Sequence, residues 1–211
     1  MTSTIVLLSG GLDSSLLLVA LAQSRPGVSL DGRENLSAAF VFYGQPNAAL
    51  EGAAAKRLAK ELSVPFTDFA TADAFPRPHN LATSTTPQGS VVQARNVLLL
   101  SIALAHAPPE GKIKLAIGAT RDDAEAFPDC RPRFLKRFEE MATEALDRDV
   151  FVEAPWLDCT KGYLLRQARN HPTAIAAARS SISCYRGTRC GVCSACRSRS
   201  EAFRFAEIED Q

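Results

Sequence analysis

The chain has 211 residues, of which 46% are hydrophobic and 22% charged, and its formal net charge is +1. This length and apolar fraction predict one sizeable hydrophobic core, and the near-zero charge argues against a broad nucleic-acid-binding surface. No apolar run approaches the roughly 20 residues that cross a bilayer, and no basic segment precedes the first apolar stretch. We therefore expect no membrane span, no signal peptide and a cytoplasmic location.

Short apolar segments alternate with longer helical patterns along the chain. Strands are predicted at 4–8, 38–43, 64–70, 113–118 and 149–155. Helices are predicted at 13–23, 47–62, 91–107, 131–146 and 160–170, with Asn47 and Thr160 as N-caps. Strands separated by helices predict an α/β fold with a doubly wound parallel sheet, covered by helices on both faces.

Two segments break this alternation. Residues 71–90 are rich in proline, serine and threonine and lack periodicity, which predicts a mobile loop. Near residue 180 the composition shifts to a cysteine-rich segment. We predict an α/β domain over 1–180 and a small metal-binding segment over 181–211 packed on it.

Four of the six cysteines lie within thirteen residues, at the positions Cys184, Cys190, Cys193 and Cys196. In a chain without a secretion signal, such spacing predicts metal ligands before disulfides. Four thiolates on short turns meet the tetrahedral requirement of a structural Zn²⁺ site, and an iron–sulfur cluster is the alternative. Five arginines surround the cluster, and they either neutralise it or contact an anionic ligand: Arg186, Arg189, Arg197, Arg199 and Arg204.

The segment SGGLDS, residues 9–14, ends the first strand and opens the first helix. Its two glycines allow backbone N–H groups to approach a ligand, and its serines add hydroxyl donors. Donors that converge at a helix N-terminus predict an anion-binding turn. The sequence has neither the lysine of a GxxxxGK[ST] phosphate loop nor a GxGxxG dinucleotide fingerprint.

Taken together, six segments resemble the QueC family of 7-cyano-7-deazaguanine synthases, which belongs to the PP-loop ATP pyrophosphatases with an adenine nucleotide alpha hydrolase-like fold. The segments are SGGLDSS (9–15), FYGQ (42–45), ARNVLLLSIALAHA (94–107), FPDCRPRF (127–134), PWLDCTK (155–161) and SISCY followed by CGVCSAC (181–196). The resemblance implies that ATP and Mg²⁺ are used to adenylate 7-carboxy-7-deazaguanine. Ammonia then gives an amide and, with a second ATP, the nitrile, with release of AMP and pyrophosphate.

The resemblance also implies roles for particular residues. Nucleotide-binding positions are Ser9, Gly10, Gly11, Leu12, Asp13, Ser14, Tyr43, Gly44, Gln45, Asn96 and Gly118. Catalytic positions are Asp13, Ser14, Arg95, Asp123, Asp129, Arg131 and Lys161. Asp13 would help hold Mg²⁺, and Arg131 would hold the carboxylate under attack. The residues alone also fit plainer roles, in which Arg95 and Lys161 are solvated and Asp129 caps the following helix.

Three segments depart from the family pattern. FYGQPN stands in place of Asp-Tyr-Gly-Gln-Arg-His, ARN in place of Gly-Arg-Asn, and AEAFPDCR in place of Tyr-Ser-Gly-Tyr-Pro-Asp-Cys-Arg. The phosphate turn and the cysteines are intact, so the departures concern the acceptor side. The alternative is therefore a QueC-like paralogue of a bacterial defence system that joins the deazaguanine acid to another amine, such as a protein N-terminus.

Two further classes of function remain as alternatives. A tRNA-modifying PP-loop enzyme would share the turn, but the neutral charge makes nucleic acid an unexpected partner. An inactive zinc-binding module would keep the cysteines without turnover. The expected partners are ATP, the deazaguanine acid and ammonia or a protein amine, and the resemblance also suggests a homodimer.

Overall fold

The computed structural model describes residues 1–23, 35–71, 92–187 and 189–210. The predicted mobile loop at 71–90 lies outside the described residues, apart from its first residue. Five strands form one sheet: β1 (Thr2–Leu7), β2 (Asn35–Phe42), β3 (Phe66–Ala70), β4 (Lys112–Ala116) and β5 (Val150–Glu153). Their order is β3-β2-β1-β4-β5, and every neighbouring pair is parallel.

Helices connect and cover the strands: α1 (Leu12–Ala22), α2 (Ala48–Glu61), α3 (Arg95–Ala105), α4 (Arg121–Ala126), α5 (Pro132–Leu146), α6 (Lys161–Ala168), α7 (Pro172–Ser180) and α8 (Ser194–Ala206). The helices α4, α7 and α8 were not among the sequence predictions. Thr160 caps α6 as predicted, because its hydroxyl accepts the Tyr163 N–H at 3.2 Å. Among the described residues, no helix has the length and apolar character of a membrane span.

The two faces of the sheet are covered by different helices, because successive strand side chains point in opposite directions. Val6 and Leu8 of the first strand segment belong to a core with α1, α2, α6, α7 and α8. Ile5 and Leu7 belong to a second core with α3 and α5. The prediction of a doubly wound parallel sheet is therefore confirmed.

The cysteine-rich segment shares the larger core. Phe203 of α8 is 2% exposed and lies among apolar side chains of α1 and α6. The ring of Phe205 on the same helix packs directly over Gly162, where a Cβ atom would lie 2.9 Å from the ring. The described residues after 180 thus pack against the α/β domain through α8.

The strand order reverses at β1. In the sheet, β2 and β3 lie on one side of β1, and β4 and β5 lie on the other. In such sheets, ligands bind at the carboxyl ends of the strands where the order reverses. Gly118, just after β4, meets the start of α1 at this point. A Cβ atom on Gly118 would lie 2.8 Å from the Asp13 carbonyl carbon and the Ser14 nitrogen.

We predict that Gly118→Ala lowers the free energy of unfolding by about 1–3 kcal/mol, because backbone atoms must move to admit the methyl group. Urea denaturation measures the loss. A variant as stable as the unchanged protein would contradict the close approach of β4 and α1.

Candidate functional site

The turn from Ser9 to Ser14 lies at this switch point. The Ser9 and Ser14 hydroxyls are 2.9 Å apart, and Ser14 Oγ also accepts the Ser9 N–H at 3.1 Å. Gly10 has φ +72°, and any side chain there would overlap the carbonyl of Glu51. Gly11 is the N-cap of α1, so the free N–H groups of the first helical turn follow it directly. The hydroxyl groups of Ser9 and Ser14 and the start of α1 therefore lie together at this turn.

A half-buried lysine joins the beginnings of three helices beside this turn. Lys161 Nζ lies 2.7 Å from Asp13 Oδ2 on α1 and 3.0 Å from Asp123 Oδ2 on α4. The backbone N–H of Lys161 donates to Asp122 at 3.2 Å. We call Asp13, Asp123 and Lys161 the lysine cluster. Sequence reasoning proposed each residue separately, and the structure brings them into contact.

The charges of the lysine cluster are strongly coupled. Burial raises the pKa of Asp13 above its ordinary value, against the pull of Lys161. Burial also acts to raise the pKa of Asp123, but the ammonium group and the Thr120 hydrogen bonds outweigh it and hold that pKa low. Burial alone would lower the pKa of Lys161, yet the two carboxylates raise it. The lysine therefore stays charged.

One carboxylate oxygen of the lysine cluster is available to a cation. Asp13 Oδ1 is buried and has no hydrogen-bond partner among the described residues. Carboxylate oxygen is a ligand that Mg²⁺ accepts, usually one or two carboxylates together with substrate phosphates. The donor set on this side of the turn therefore fits such an ion.

A cavity of about 200 Å³ opens between the turn and the carboxyl ends of β1, β2 and β4. Predicted site residues that line it are Ser9, Gly11, Asp13, Ser14, Tyr43, Gln45, Arg95, Asn96, Gly118 and Asp123. We call it the turn cavity. Gly44, Asp129 and Arg131 do not line it, and Leu12 and Lys161 line a neighbouring cavity. Glu51 and Cys130 were not among the predicted site residues, yet both line the turn cavity.

Four polar side chains stand together on one wall of the turn cavity. Arg95 interacts with the Tyr43 hydroxyl, and although burial acts to lower the pKa of Arg95, this contact raises it. Burial likewise raises the pKa of Tyr43. Burial raises the pKa of Glu51 to about 7, despite its hydrogen bond with Gln45. The Gln45 amide also accepts from the Tyr43 N–H at 2.8 Å and so fixes the turn after β2.

The loop at 127–131 holds the start of α3. Asp129 Oδ2 accepts the Asn96 N–H at 2.9 Å, and the Asn96 amide donates to the Asp129 carbonyl and to Cys130 Sγ. Asp129 therefore caps α3 rather than the following helix, which begins after Arg131 without a side-chain cap. Arg131 is exposed and donates to the Ala124 carbonyl at 3.2 Å. Burial raises the pKa of Cys130 to about 12, so this thiol is protonated at neutral pH.

The four clustered cysteines converge on one point. The sulfur atoms of Cys184, Cys190, Cys193 and Cys196 all lie within 4.8 Å of one another. Backbone N–H groups donate to three of these sulfur atoms at 3.4 Å, as expected for thiolate acceptors. The N–H groups of residues 192 and 193 lower the pKa of Cys190 to about 6. This arrangement fits a single tetrahedral metal ion.

The cluster of four cysteines (Cys184, Cys190, Cys193 and Cys196) is connected to the Ser9–Ser14 turn through Arg199. Arg199 is 4% exposed, one turn beyond the last cysteine on α8. Its guanidinium forms a bidentate pair with Asp210 and donates to the Ser181 hydroxyl at 2.7 Å. The next residue, Ile182, donates its N–H to the Gly10 carbonyl at 2.9 Å. Asn47, the predicted cap of α2, makes no capping hydrogen bond and instead donates to the Cys184 carbonyl.

Fold and site together define a class: a parallel α/β protein with a glycine- and serine-containing turn at the switch point, a half-buried lysine cluster beside it and four cysteines that could hold a metal ion. The family model "Queuosine biosynthesis protein QueC" matches residues 3–207. The 7-cyano-7-deazaguanine synthase of Nitrosospira multiformis is 33% identical over 230 residues, covering 100% of this chain and 94% of that protein. The synthase of Cupriavidus taiwanensis is 35% identical over 229 residues, covering 98% and 94%.

The chain therefore belongs to the QueC family. Among solved structures, the U34-tRNA thiolase NcsA from Methanococcus maripaludis, described with its [4Fe-4S] cluster, covers 99% of this chain. The alignment spans 74% of the thiolase with 17% sequence identity and a TM-score of 0.49.

We predict that Cys193→Ser lowers the bound metal and the melting temperature together, because one ligand of a shared ion is lost. Structural zinc sites contribute roughly 10–16 kcal/mol of apparent binding free energy, which is comparable with the stability of a whole domain. Cys159→Ser, outside the cluster and half-buried, is the matched control. Elemental analysis and calorimetry make the comparison, and a fully loaded Cys193→Ser protein would contradict the site.

We also predict a pH dependence from Glu51. Its pKa is about 7 in the folded state and about 4.5 in the unfolded chain, so the folded protein retains a proton that the unfolded chain releases. Stability from this group is present below pH 4.5 and is lost as the pH rises to 7. The free energy of unfolding of Glu51→Gln should therefore be about 3 kcal/mol higher than that of the unchanged protein at pH 8. At pH 4 the two values should be equal.

Glu61→Gln, on the exposed end of the same helix, is the control for this comparison. Equal pH profiles for all three proteins would show that the Glu51 carboxyl group is solvated.

Proposed function

We propose that this protein is an ATP-dependent carbon–nitrogen ligase that adenylates 7-carboxy-7-deazaguanine and joins it to an amine. The observation that supports this most directly is the lysine cluster beside the Ser9–Ser14 turn. An ATP molecule cleaved between its α and β phosphates needs an anion site for the departing pyrophosphate and a cation beside the α phosphate. The turn supplies the first, and Lys161 supplies the second.

The first chemical step transfers an adenylyl group. A carboxylate oxygen of the acid attacks the α phosphorus, the bond to the bridging oxygen breaks, and pyrophosphate leaves onto the turn. N–H groups at the start of α1 and the Ser9 and Ser14 hydroxyls are placed to receive it. Asp13 would hold Mg²⁺ through its free oxygen Oδ1, and the ion would neutralise phosphate charge and orient the phosphates.

The second step forms the carbon–nitrogen bond. The amine nitrogen attacks the acyl carbon, AMP leaves with the carbon–oxygen bond electrons, and the nitrogen loses a proton to solvent or a nearby carboxylate. With ammonia the product is an amide. A second ATP would adenylate the amide oxygen, and loss of AMP with two protons gives the nitrile.

For the metal cluster we propose structural Zn²⁺. A tetrahedral ion with Zn–S bonds of about 2.3 Å places its sulfur atoms roughly 3.8 Å apart, and the sulfur atoms of Cys190 and Cys196 already lie 3.9 Å apart. A four-iron cubane would hold them farther apart. Elemental analysis and the visible absorption spectrum distinguish the two.

A second candidate function joins the acid to an amine other than ammonia. The two residues that follow Gln45 favour it. Pro46 carries no ionisable group, and the Asn47 amide is committed to the Cys184 carbonyl. The chain thus lacks at this point the Arg-His pair that the synthase pattern has. A paralogue that joins the deazaguanine acid to a protein N-terminus would fit this change. Incubation with ATP, Mg²⁺ and the acid, with and without ammonia, followed by mass spectrometry separates a nitrile from a protein conjugate.

We predict that Asp13→Ala abolishes AMP release, by at least a hundredfold, because it removes a ligand for Mg²⁺ and half of the compensation for Lys161. Asp158→Ala, on the exposed loop before α6, should retain full activity. The assay follows AMP and pyrophosphate from labelled ATP, with melting temperatures as a check on folding. Normal turnover by Asp13→Ala, or ADP and orthophosphate as products, would refute the proposed chemistry.

A further inference from the structure

A second cavity, which the proposed chemistry has not yet used, lies on the other side of the lysine cluster. Its volume is about 250 Å³, and its walls come from the start of α1, the end of α4, the segment 182–185 and the first turns of α8. We call it the α4–α8 cavity. We propose that it binds the planar heteroaromatic acid with the carboxylate directed at Lys161. This assignment rests on the proposed function and deepens it.

The two cavities meet at the reaction centre. Gly11, Asp13 and Asp123 line both of them, and Lys161 lines only the α4–α8 cavity. Displacement at phosphorus is in line, so the attacking carboxylate and the leaving pyrophosphate lie on opposite sides of the α phosphorus. If the turn receives the pyrophosphate, the acid has to approach from the side that the turn cavity does not occupy. The α4–α8 cavity adjoins the turn cavity through Gly11, Asp13 and Asp123, so an acid bound in it would lie next to the α phosphate.

The walls of the α4–α8 cavity match a flat, apolar-faced ring with a polar rim. Phe127 and Tyr185 are both half-buried aromatic residues on its lining, and aromatic side chains stack on heterocyclic bases. Ser194 and Ser198 of α8 supply hydroxyl groups on the wall opposite the lysine cluster. The size is below the roughly 300–1,000 Å³ of pockets for drug-sized ligands, which suits a small bicyclic acid.

This position differs from the one that the resemblance implies. Asp129 and Arg131 line neither cavity. The Asp129 carboxylate is committed to the Asn96 N–H, and Arg131 is exposed. Two cations line the α4–α8 cavity, Lys161 and Arg199. Arg199 forms a bidentate pair with Asp210, whereas Lys161 contacts Asp13 of the Ser9–Ser14 turn, so we assign to Lys161 the role of meeting the acid's carboxylate.

The test compares two serines of α8 that lie two residues apart. Ser198 lines the α4–α8 cavity, whereas Ser200 is exposed and lines a separate cleft near Cys196. Ser198→Leu should fill the cavity and weaken binding of 7-carboxy-7-deazaguanine at least tenfold, and Ser200→Leu should change it less than twofold. Calorimetry measures acid binding in the presence of α,β-methylene-ATP, whose α–β bridge resists cleavage. Affinity for this analogue should stay within twofold in both variants.

A second variant removes the stacking surface. Phe127→Ala should also weaken binding of the acid at least tenfold without changing the affinity for the ATP analogue. Phe127→Tyr, which keeps the ring, should bind the acid within threefold of the unaltered protein. Bound metal and melting temperature are measured on every protein. A Ser198→Leu variant that is folded, metal-loaded and binds the acid normally would overturn the assignment.

The proposal and the proposed function fail in different ways. If the unaltered protein releases AMP with the acid but Ser198→Leu and Phe127→Ala bind the acid normally, the proposed function stands and the assignment of the acid to the α4–α8 cavity is wrong. If the acid binds in a Ser198-dependent manner but no AMP forms, the assignment of the acid to the α4–α8 cavity stands and the proposed adenylation is wrong. No binding of the acid to the unaltered protein would overturn both.

Discussion

One buried ammonium group shared by two carboxylates fixes the geometry of this site. Lys161 begins α6, Asp13 lies in the first turn of α1, and Asp123 lies in the first turn of α4. A buried charge that loses its partner costs about 3–5 kcal/mol, so three helix starts are held in register by one ammonium group. Since helices on parallel sheets begin at the same edge as the ligand site, the contact that stabilises this edge also places a cation beside the phosphate turn.

The phosphate turn is supported from outside by the C-terminal residues. Gly10 accepts a hydrogen bond from Ile182, and the neighbouring Ser181 is held by Arg199. Arg199 is in turn fixed by Asp210 and lies on the helix that begins at the cysteine cluster. A metal ion that orders the first turn of α8 therefore also orders the backbone beside Gly10. In physical terms, a metal ion bound by the cysteines would stabilise the Ser9–Ser14 turn without contacting it.

Local patterns in the sequence predicted the strands to within three residues, because apolar strands bounded by polar turns are locally encoded. The helices α4 and α7 had signals that were overlooked: Thr120 and Asp123 form a capping box, and Pro172 occupies the first position of an alanine-rich helix. The position of the glycine- and serine-containing turn after β1 and the convergence of the four cysteines could also be predicted, since each comes from a short segment of the sequence. The contact between Lys161 and Asp13 could not, because 148 positions separate them and only the order of the strands brings them together.

Under the proposed function, the division into two cavities would allow the acid-binding side to change while the Ser9–Ser14 turn is kept. The turn cavity is built from β1, β2 and β4 with the phosphate turn, whereas α4 and α8 form most of the other cavity. The substitutions at 124–127 fall at the end of α4, and Ala126 and Phe127 line the α4–α8 cavity. They can therefore alter the shape of that cavity without moving Asp13 or Lys161, which are held by each other. Under the proposed assignment, changes in acid specificity are then expected to arise at α4 and α8, while the Ser9–Ser14 turn and the lysine cluster keep their geometry.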